Sequence, residues 1–253
     1  MKLSNRFLLL LVTLLSLTFT SCDDDDGYSL GNFVGRIATV KIESGVSYIL
    51  ADDQTTLLPI AGYFPASQLV DGERIAVNYT LLYDNFQGYD HAIKVNHFYK
   101  VLTKPVETLA TEEDDKKFGD DVVWIYDLWV GGNYLNVQFA YPYPLSERHR
   151  VSLVKNELAE TVDDGYVHLE YRYNAQGDLD NTEVQTVLFF SFVSFNLNSI
   201  DIPKDAKGIK IKINSVKNGH RVLTYERNQS EDNKSVDFEE GSVSASKVSS
   251  HLH

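Results

Sequence analysis

The run at residues 73–83 constrains the fold more than any other stretch. Ile75, Val77, Tyr79 and Leu81 fall on one side of it and Arg74, Asn78 and Thr80 on the other, with Ala76 indifferent. Period-two alternation of this kind puts successive side chains on opposite faces of an extended strand, and helical spacing does not reproduce it. Asp71 and Gly72 precede it as a turn. The same signature recurs nearby. Residues 37–42, 46–51 and 55–60 are short β segments separated by Glu43-Ser44-Gly45 and Asp52-Asp53-Gln54. Residues 91–102 alternate again, grouping Ile93, Val95, Tyr99 and Val101. Five strands in so short a span, with no amphipathic helix, predict a small OB-like barrel over residues 31–104, because an open sheet would leave its edges unprotected.

A second β block occupies residues 122–228. Leu135, Val137 and Phe139 alternate with Asn136 and Gln138, and Val167, Leu169, Tyr171 and Tyr173 oppose His168, Glu170 and Arg172. Residues 184–195 are apolar on both faces, as in a strand covered from both sides. Ile209, Ile211 and Ile213 alternate with Lys210 and Lys212, and residues 221–225 close the set. Six or seven strands, read as antiparallel, indicate an all-β chain whose second domain is a sandwich. Between the blocks, residues 105–121 read as a linker in which Pro105 blocks strand pairing. Thr111-Glu112-Glu113-Asp114 opens one or two turns of helix that end at Gly119. Residues 229–253 are too polar to offset ordering entropy and read as a disordered tail. No internal repeat is evident.

The amino terminus bears on location. Lys2 and Arg6 precede an apolar run at residues 7–20, shorter than the roughly 20 residues a spanning helix needs. It suits the apolar region of a signal peptide over residues 1–21. Thr20 and Ser21 then lead into Cys22, which resembles the lipobox of bacterial lipoproteins, with Phe19 where leucine is usual. In such proteins the chain is cut before the cysteine, here between Ser21 and Cys22, and the cysteine is acylated. Cys22 is the only cysteine, so no intramolecular disulfide forms, and lipidation accounts for a lone cysteine in an exported chain. Two acyl chains already give stable attachment where one does not. The acidic tether, residues 22–30, starts with four aspartates and reaches roughly 30 Å at full extension. The expectation is a membrane partner through the lipid anchor, in the Gram-negative envelope at the outer membrane. The aspartate run resembles an export signal for the cell surface.

The net charge of −13 argues against a nucleic-acid partner, since phosphate binding draws on clustered lysine and arginine. Loss of Lys2 and Arg6 with the leader would deepen it to −15.

Several blocks, in order, resemble the NigD-like lipoproteins. They are Cys22 with its aspartates, Gly27-Tyr28-Ser29-Leu30-Gly31-Asn32-Phe33, Ile37-Ala38-Thr39-Val40, the stretch from Asp71 to Thr80, and Val101-Leu102-Thr103-Lys104. Phe118-Gly119-Asp120-Asp121 and the stretch from Asn133 to Phe139 continue the match. The resemblance implies an OB-like domain followed by an immunoglobulin-like β-sandwich. It carries over no catalytic residue, and its name points to a bacteriocin-associated locus.

Candidate chemistry is sparse. His168 and Glu170 share a strand face and could reach one ion, but no third ligand has related spacing, and Arg172 can pair with Glu170 instead. His97 sits on the apolar side of its strand, where a hydrogen-bonded core histidine is expected. His91 and His149 adjoin turns and read as solvated, and His251 and His253 lie on the tail. Asp178, Asp180 and Glu183 form an acidic loop that lacks the calcium-loop pattern. No nucleophile elbow, triad order or phosphate loop appears, and no metal or cofactor is implied. The stronger surface is aromatic. Tyr83, Phe86 and Tyr89 cluster around Asn85, Gln87 and Gly88, and Tyr141-Pro142-Tyr143-Pro144 displays two tyrosines after a strand. Such rings either stack on sugars or cover the domain interface or a barrel end. The sequence thus describes a non-enzymatic envelope lipoprotein serving as a binding or structural module, with a glycan or an envelope protein as the candidate partner. The alternatives are a self-protection role in bacteriocin production and a hydrolase acting on envelope polymers.

Overall fold

The computed structural model describes residues 33–178, 187–227 and 232. The expected signal peptide with its Ser21–Cys22 cleavage site, the tether, and the tail apart from Asp232 lie outside the described residues. Five strands close a barrel in the order β1-β2-β3-β5-β4. They are β1 (Val34–Glu43), β2 (Val46–Ala51), β3 (Thr56–Gly62), β4 (Arg74–Phe86) and β5 (Tyr89–Lys100). Strand β1 serves two neighbours. Its second half pairs with β2 and its first half with β4, which lets so small a sheet close without free edges. Val40, Ile49, Leu57, Ile75, Val77 and Ile93 fill the interior, the β4 residues being those the alternation selects.

Strand β5 departs from its sequence pattern. Asn78 pairs with His97 but Tyr79 pairs with Val95, so Asn96 is an extra, bulged residue. One inserted residue flips every later side chain to the other face. Phe98 accordingly packs on the core, while His97 is exposed; the expected core histidine is a surface one.

The second domain stacks a five-stranded sheet, β14-β13-β11-β10-β7, on a four-stranded sheet, β6-β12-β9-β8. The first contains β7 (Glu107–Leu109), β10 (Arg150–Asn156), β11 (Tyr166–Asn174), β13 (Gly208–Ser215) and β14 (Gly219–Glu226). The second contains β6 (Leu102–Pro105), β8 (Trp124–Gly131), β9 (Tyr134–Tyr143) and β12 (Val187–Asn196). Phe139 lies at the centre of the core, its ring 6.1, 6.5 and 6.4 Å from those of Tyr141, Tyr171 and Tyr173. The pairing is mixed, since β6 with β12, β7 with β10 and β11 with β13 run parallel.

The stretch expected as a linker contributes to both sheets. Pro105 ends β6 opposite Asn196. Because β6 is an edge strand, a missing outward N–H costs no ladder bond. The chain then crosses to β7 in the other sheet. Helix α1 (Glu112–Phe118) follows with a capping box between Thr111 and Asp114, and Gly119 ends it at φ 65°. Phe118 buries against Leu109 and Val154, so a helix of about two turns has an apolar anchor.

Candidate functional site

The outer face of β4, the side on which the alternation puts Arg74, is where the two domains meet. Arg74 is fully buried there. Its Nη1 donates to Asp52 Oδ1 at 2.5 Å and to Thr39 Oγ1 at 3.0 Å, and its Nη2 donates to Asp52 Oδ2 and to Asn136 Oδ1 of the sandwich, both at 3.1 Å. The guanidinium also lies 4.2 Å over the Tyr134 ring. Ser194 Oγ donates to the same Asn136 oxygen at 2.7 Å. A planar cation with a forked donor set satisfies a carboxylate, a hydroxyl and an amide at once, which a lysine ammonium would do poorly. Beside it Ile37, Ala76 and Val101 pack on Trp129, with Phe192 against them. Ala76, neutral in the alternation, is small because a sandwich lies on it.

The β8–β9 turn completes this junction. A Cβ on Gly132, at φ 55°, would stand 2.4 Å from Asp52 Oδ1. Glycine is required there both by the left-handed backbone and by the carboxylate that Arg74 holds. Asp52 thus touches both domains.

The sequence-selected aromatics separate into two groups. Tyr83 is 58% exposed at the end of the β4–β5 hairpin and stacks on Phe86, with centroids 5.8 Å apart and planes within 23°. Asn85 and Gln87, both at positive φ, flank Phe86 in the tight turn. Tyr89 turns inward by half and contacts Tyr48 at 5.2 Å. Tyr141, by contrast, is 0% exposed and belongs to the sandwich core, where burial raises its hydroxyl pKa to about 12. Tyr143 is half-buried, 4.5 Å from the Phe189 ring. The expectation that Tyr141 is displayed to a ligand is therefore corrected. Tyr141, Pro142 and Tyr143 do not follow the strand but are the last three residues of β9, each paired with β12, and pairing turns Tyr141 inward.

Comparison with known proteins accounts for this arrangement of barrel, junction and sandwich. Residues 37–101 match the NigD-like N-terminal OB domain, and residues 105–227 match the NigD-like C-terminal beta sandwich domain. The chain belongs to the NigD-like family. A protein of unknown function from Bacteroides vulgatus shares its structure at a TM-score of 0.72 and 26% identity, over 88% of this chain and 100% of that one. A putative toxin related protein from Parabacteroides distasonis follows at 0.61 and 27%, over 80% and 96%. A NigD-like immunity protein from Bacteroides caccae has the same fold at 0.54 and 17%, over 77% and 97%. No curated protein matches. The NigD-like models describe an OB domain and a β-sandwich, and neither description is that of an enzyme.

The remaining polar candidates of this NigD-like chain resolve into structural pairs. His168 Nε2 lies 3.0 Å from Asp164, while Glu170 is taken by Arg172 at 2.7 Å, so the two residues proposed to share an ion serve different partners. Lys210 and His168 hydrogen-bond the Asp164 carboxylate and hold it well below the usual carboxylate range. His91 contacts Asp84 at 2.6 Å. Among the described residues no group of three or more His, Cys, Asp or Glu is placed to hold a metal ion. Asp180 and Glu183 lie outside the described residues.

His149 is the residue the sequence misplaced most. It is fully buried, its Nε2 2.8 Å from Asp178 Oδ2 and its Nδ1 bonded to the Tyr173 hydroxyl. Burial lowers its pKa, and the Asp178 carboxylate offsets only part of that. The neutral ring donates from Nε2 to the carboxylate and accepts the tyrosine proton at Nδ1, which satisfies both nitrogens. Asp178 also accepts the Ser146 N–H at 2.9 Å, so this network ties the β9–β10 connection to the end of β11. A histidine one residue before a strand carries no periodic signal that would have placed it inside. A second aromatic pair, Tyr126 and Phe190 at 4.6 Å, lies outside the core and was also missed, because Tyr126 is the bulged residue of β8.

Proposed function

We propose that this NigD-like protein is a lipid-anchored, non-enzymatic binding module of the Gram-negative cell envelope. In this reading the Tyr83–Phe86 pair is its contact surface for an envelope glycan. The observation that carries the reading is the pair itself: two near-parallel rings on a barrel hairpin, Tyr83 exposed and Phe86 half-buried beneath it. Pyranose rings present C–H faces that suit aromatic π surfaces, and the exposed side-chain amides of Asn85 and Gln87 in the same turn can donate to and accept from hydroxyl groups. Cys22 would hold the barrel close to the membrane, within the reach of its short tether. The carboxylates nearest the junction support a non-catalytic role, since both oxygens of Asp52 are bound by Arg74, and Asp53 is paired with Arg36 at 3.0 Å.

An array of envelope polysaccharides, probed with the full-length protein and with Tyr83→Ala, tests the reading. Retention of at least one glycan by the parent and its loss in the variant is expected. A folded protein that retains none overturns it. For the anchor, Cys22→Ala should move the protein from the membrane to the soluble or mislocalised pool, and unchanged fractionation would contradict attachment. A self-protection role is the second reading, favoured by the fold shared with a NigD-like immunity protein. Deleting the gene should then raise the producer's sensitivity to its own toxin.

A further inference from the structure

The barrel covers only part of the sheet on which it sits. On the outer face of β6-β12-β9-β8, Trp129, Asn136 and Ser194 are buried at the junction, and Phe192 packs against it one rung further out. Two more rungs continue the same face: Trp124, Ala140 and Phe190 side by side, then Pro142 and Leu188. The bulge in β8 adds Tyr126, 53% exposed, whose ring lies 4.6 Å from that of Phe190. Leu188 is exposed, and Trp124, Pro142 and Phe190 are half-buried. None of these residues is charged, whereas the solvated face of a sheet ordinarily carries polar side chains. We infer that this apolar face rests in the interfacial layer of a lipid bilayer and lays the sandwich against the membrane to which Cys22 tethers it. The inference rests on the lipid anchor proposed above.

Composition, size and reach decide the occupant. Tryptophan and tyrosine collect at membrane–water interfaces because each is an apolar ring with one polar atom, and phenylalanine and leucine suit the acyl boundary beneath. The nearest charged residue of the face, Asp127, stands one rung toward the barrel, where its carboxylate accepts the Leu128 N–H at 2.9 Å. With no lysine or arginine on these rungs and a net charge of −13, the fit is to zwitterionic headgroups and not to anionic ones. Two rungs across three strands make roughly 200 Å² of sheet, against roughly 800 Å² per partner in a stable protein–protein interface. A second copy would be held weakly, whereas an anchored chain meets its bilayer at high effective concentration and needs only a weak contact. The reach also fits. Val34 opens β1 three residues before Ile37, which packs on Trp129, and Leu188 lies four residues from Phe192. These legs are about 10 and about 13 Å at strand rise, together shorter than the roughly 30 Å of the extended tether. The acyl chains and the face can therefore occupy one bilayer.

The mature acylated protein, floated with phosphatidylcholine vesicles whose acyl chains carry bromine, tests the inference. Bromine quenches tryptophan at contact range, and of the two tryptophans Trp129 is 2% exposed at the junction while Trp124 lies on the face. Parent fluorescence should be quenched relative to unbrominated vesicles, and Trp124→Phe should lose the quenching. Tyr126→Lys combined with Leu188→Lys should lose it too, while floating as the parent does. Both residues are exposed, so the charged variant keeps the fold if Trp124→Phe does not. A parent that floats unquenched, or equal quenching in the charged variant, would overturn the face and leave the anchor standing. Unquenched fluorescence with self-association that Tyr126→Lys abolishes would give the face to a second copy instead. Failure of the parent to float would overturn the anchor and the face with it.

Discussion

Two tyrosine-bearing stretches, residues 83–89 and 141–144, look alike in sequence and end in opposite environments. Both put aromatic rings beside turn-forming residues. The first lies at the end of a hairpin, where β4 and β5 run on past the barrel core, and Tyr83 stacks on Phe86 while staying 58% exposed. The second ends β9, where Tyr141, Pro142 and Tyr143 pair with Phe189, Leu188 and Val187 of β12, and Tyr141 is buried in the sandwich core. An aromatic is thus placed by what covers its strand, more than by the residues on either side of it. The hairpin pair is available for recognition, and Tyr141 contributes to stability alone.

Substitutions can break this contrast. Tyr141→Ala should cost about 3–5 kcal/mol, by analogy with buried Phe truncations, read as a fall in the urea midpoint. A cost below about 1 kcal/mol would mean that Tyr141 is not core. Asp52→Ala should destabilise by a similar amount, about 3–5 kcal/mol, because it strands the buried Arg74 guanidinium between the domains. Calorimetry would show whether the two domains then unfold in separate transitions.

How much of this was legible follows from where each residue's partner comes from. Ile75, Val77 and Tyr79 were readable because alternation reports the near face of a strand, and the α1 cap because its partners are three residues apart. Arg74 and Ala76 were not, since their burial depends on a domain some 50–60 residues further along the chain: Arg74 bonds Asn136 and Ala76 packs on Trp129. His97 was misplaced by one bulged residue, a shift that period-two reading cannot see. The edge strands β6 and β7 were hidden by their brevity and by Pro105, which reads as a breaker unless the strand is known to be at an edge.

The buried His149 predicts a smaller, pH-dependent effect. Its pKa is lowered on folding, so the unfolded chain takes up a proton first as pH falls below about 6.5, and stability declines from there downward. Asp178 acts in a lower window. Burial pushes its pKa up, but bonds from His149, Ser146 and Glu147 outweigh this and lower it, so its contribution is lost below the usual carboxylate value of 3.8. The urea midpoint should therefore fall between pH 6.5 and 5, and His149→Asn should flatten that slope; an equally steep slope in the variant would remove His149 as its source. Smaller again, Thr111→Ala should cost about 1 kcal/mol through loss of the α1 cap.

Tyr83→Ala stands at the far end of the series, with stability expected within about 0.5 kcal/mol of the parent. That makes it the most direct probe of recognition. Titration of the retained glycan into the parent and the Tyr83→Ala protein should give at least about tenfold weaker binding in the variant, equivalent to about 1.4 kcal/mol, with the urea midpoint unmoved. Equal affinities in the two proteins would show that the exposed hairpin rings do not carry recognition.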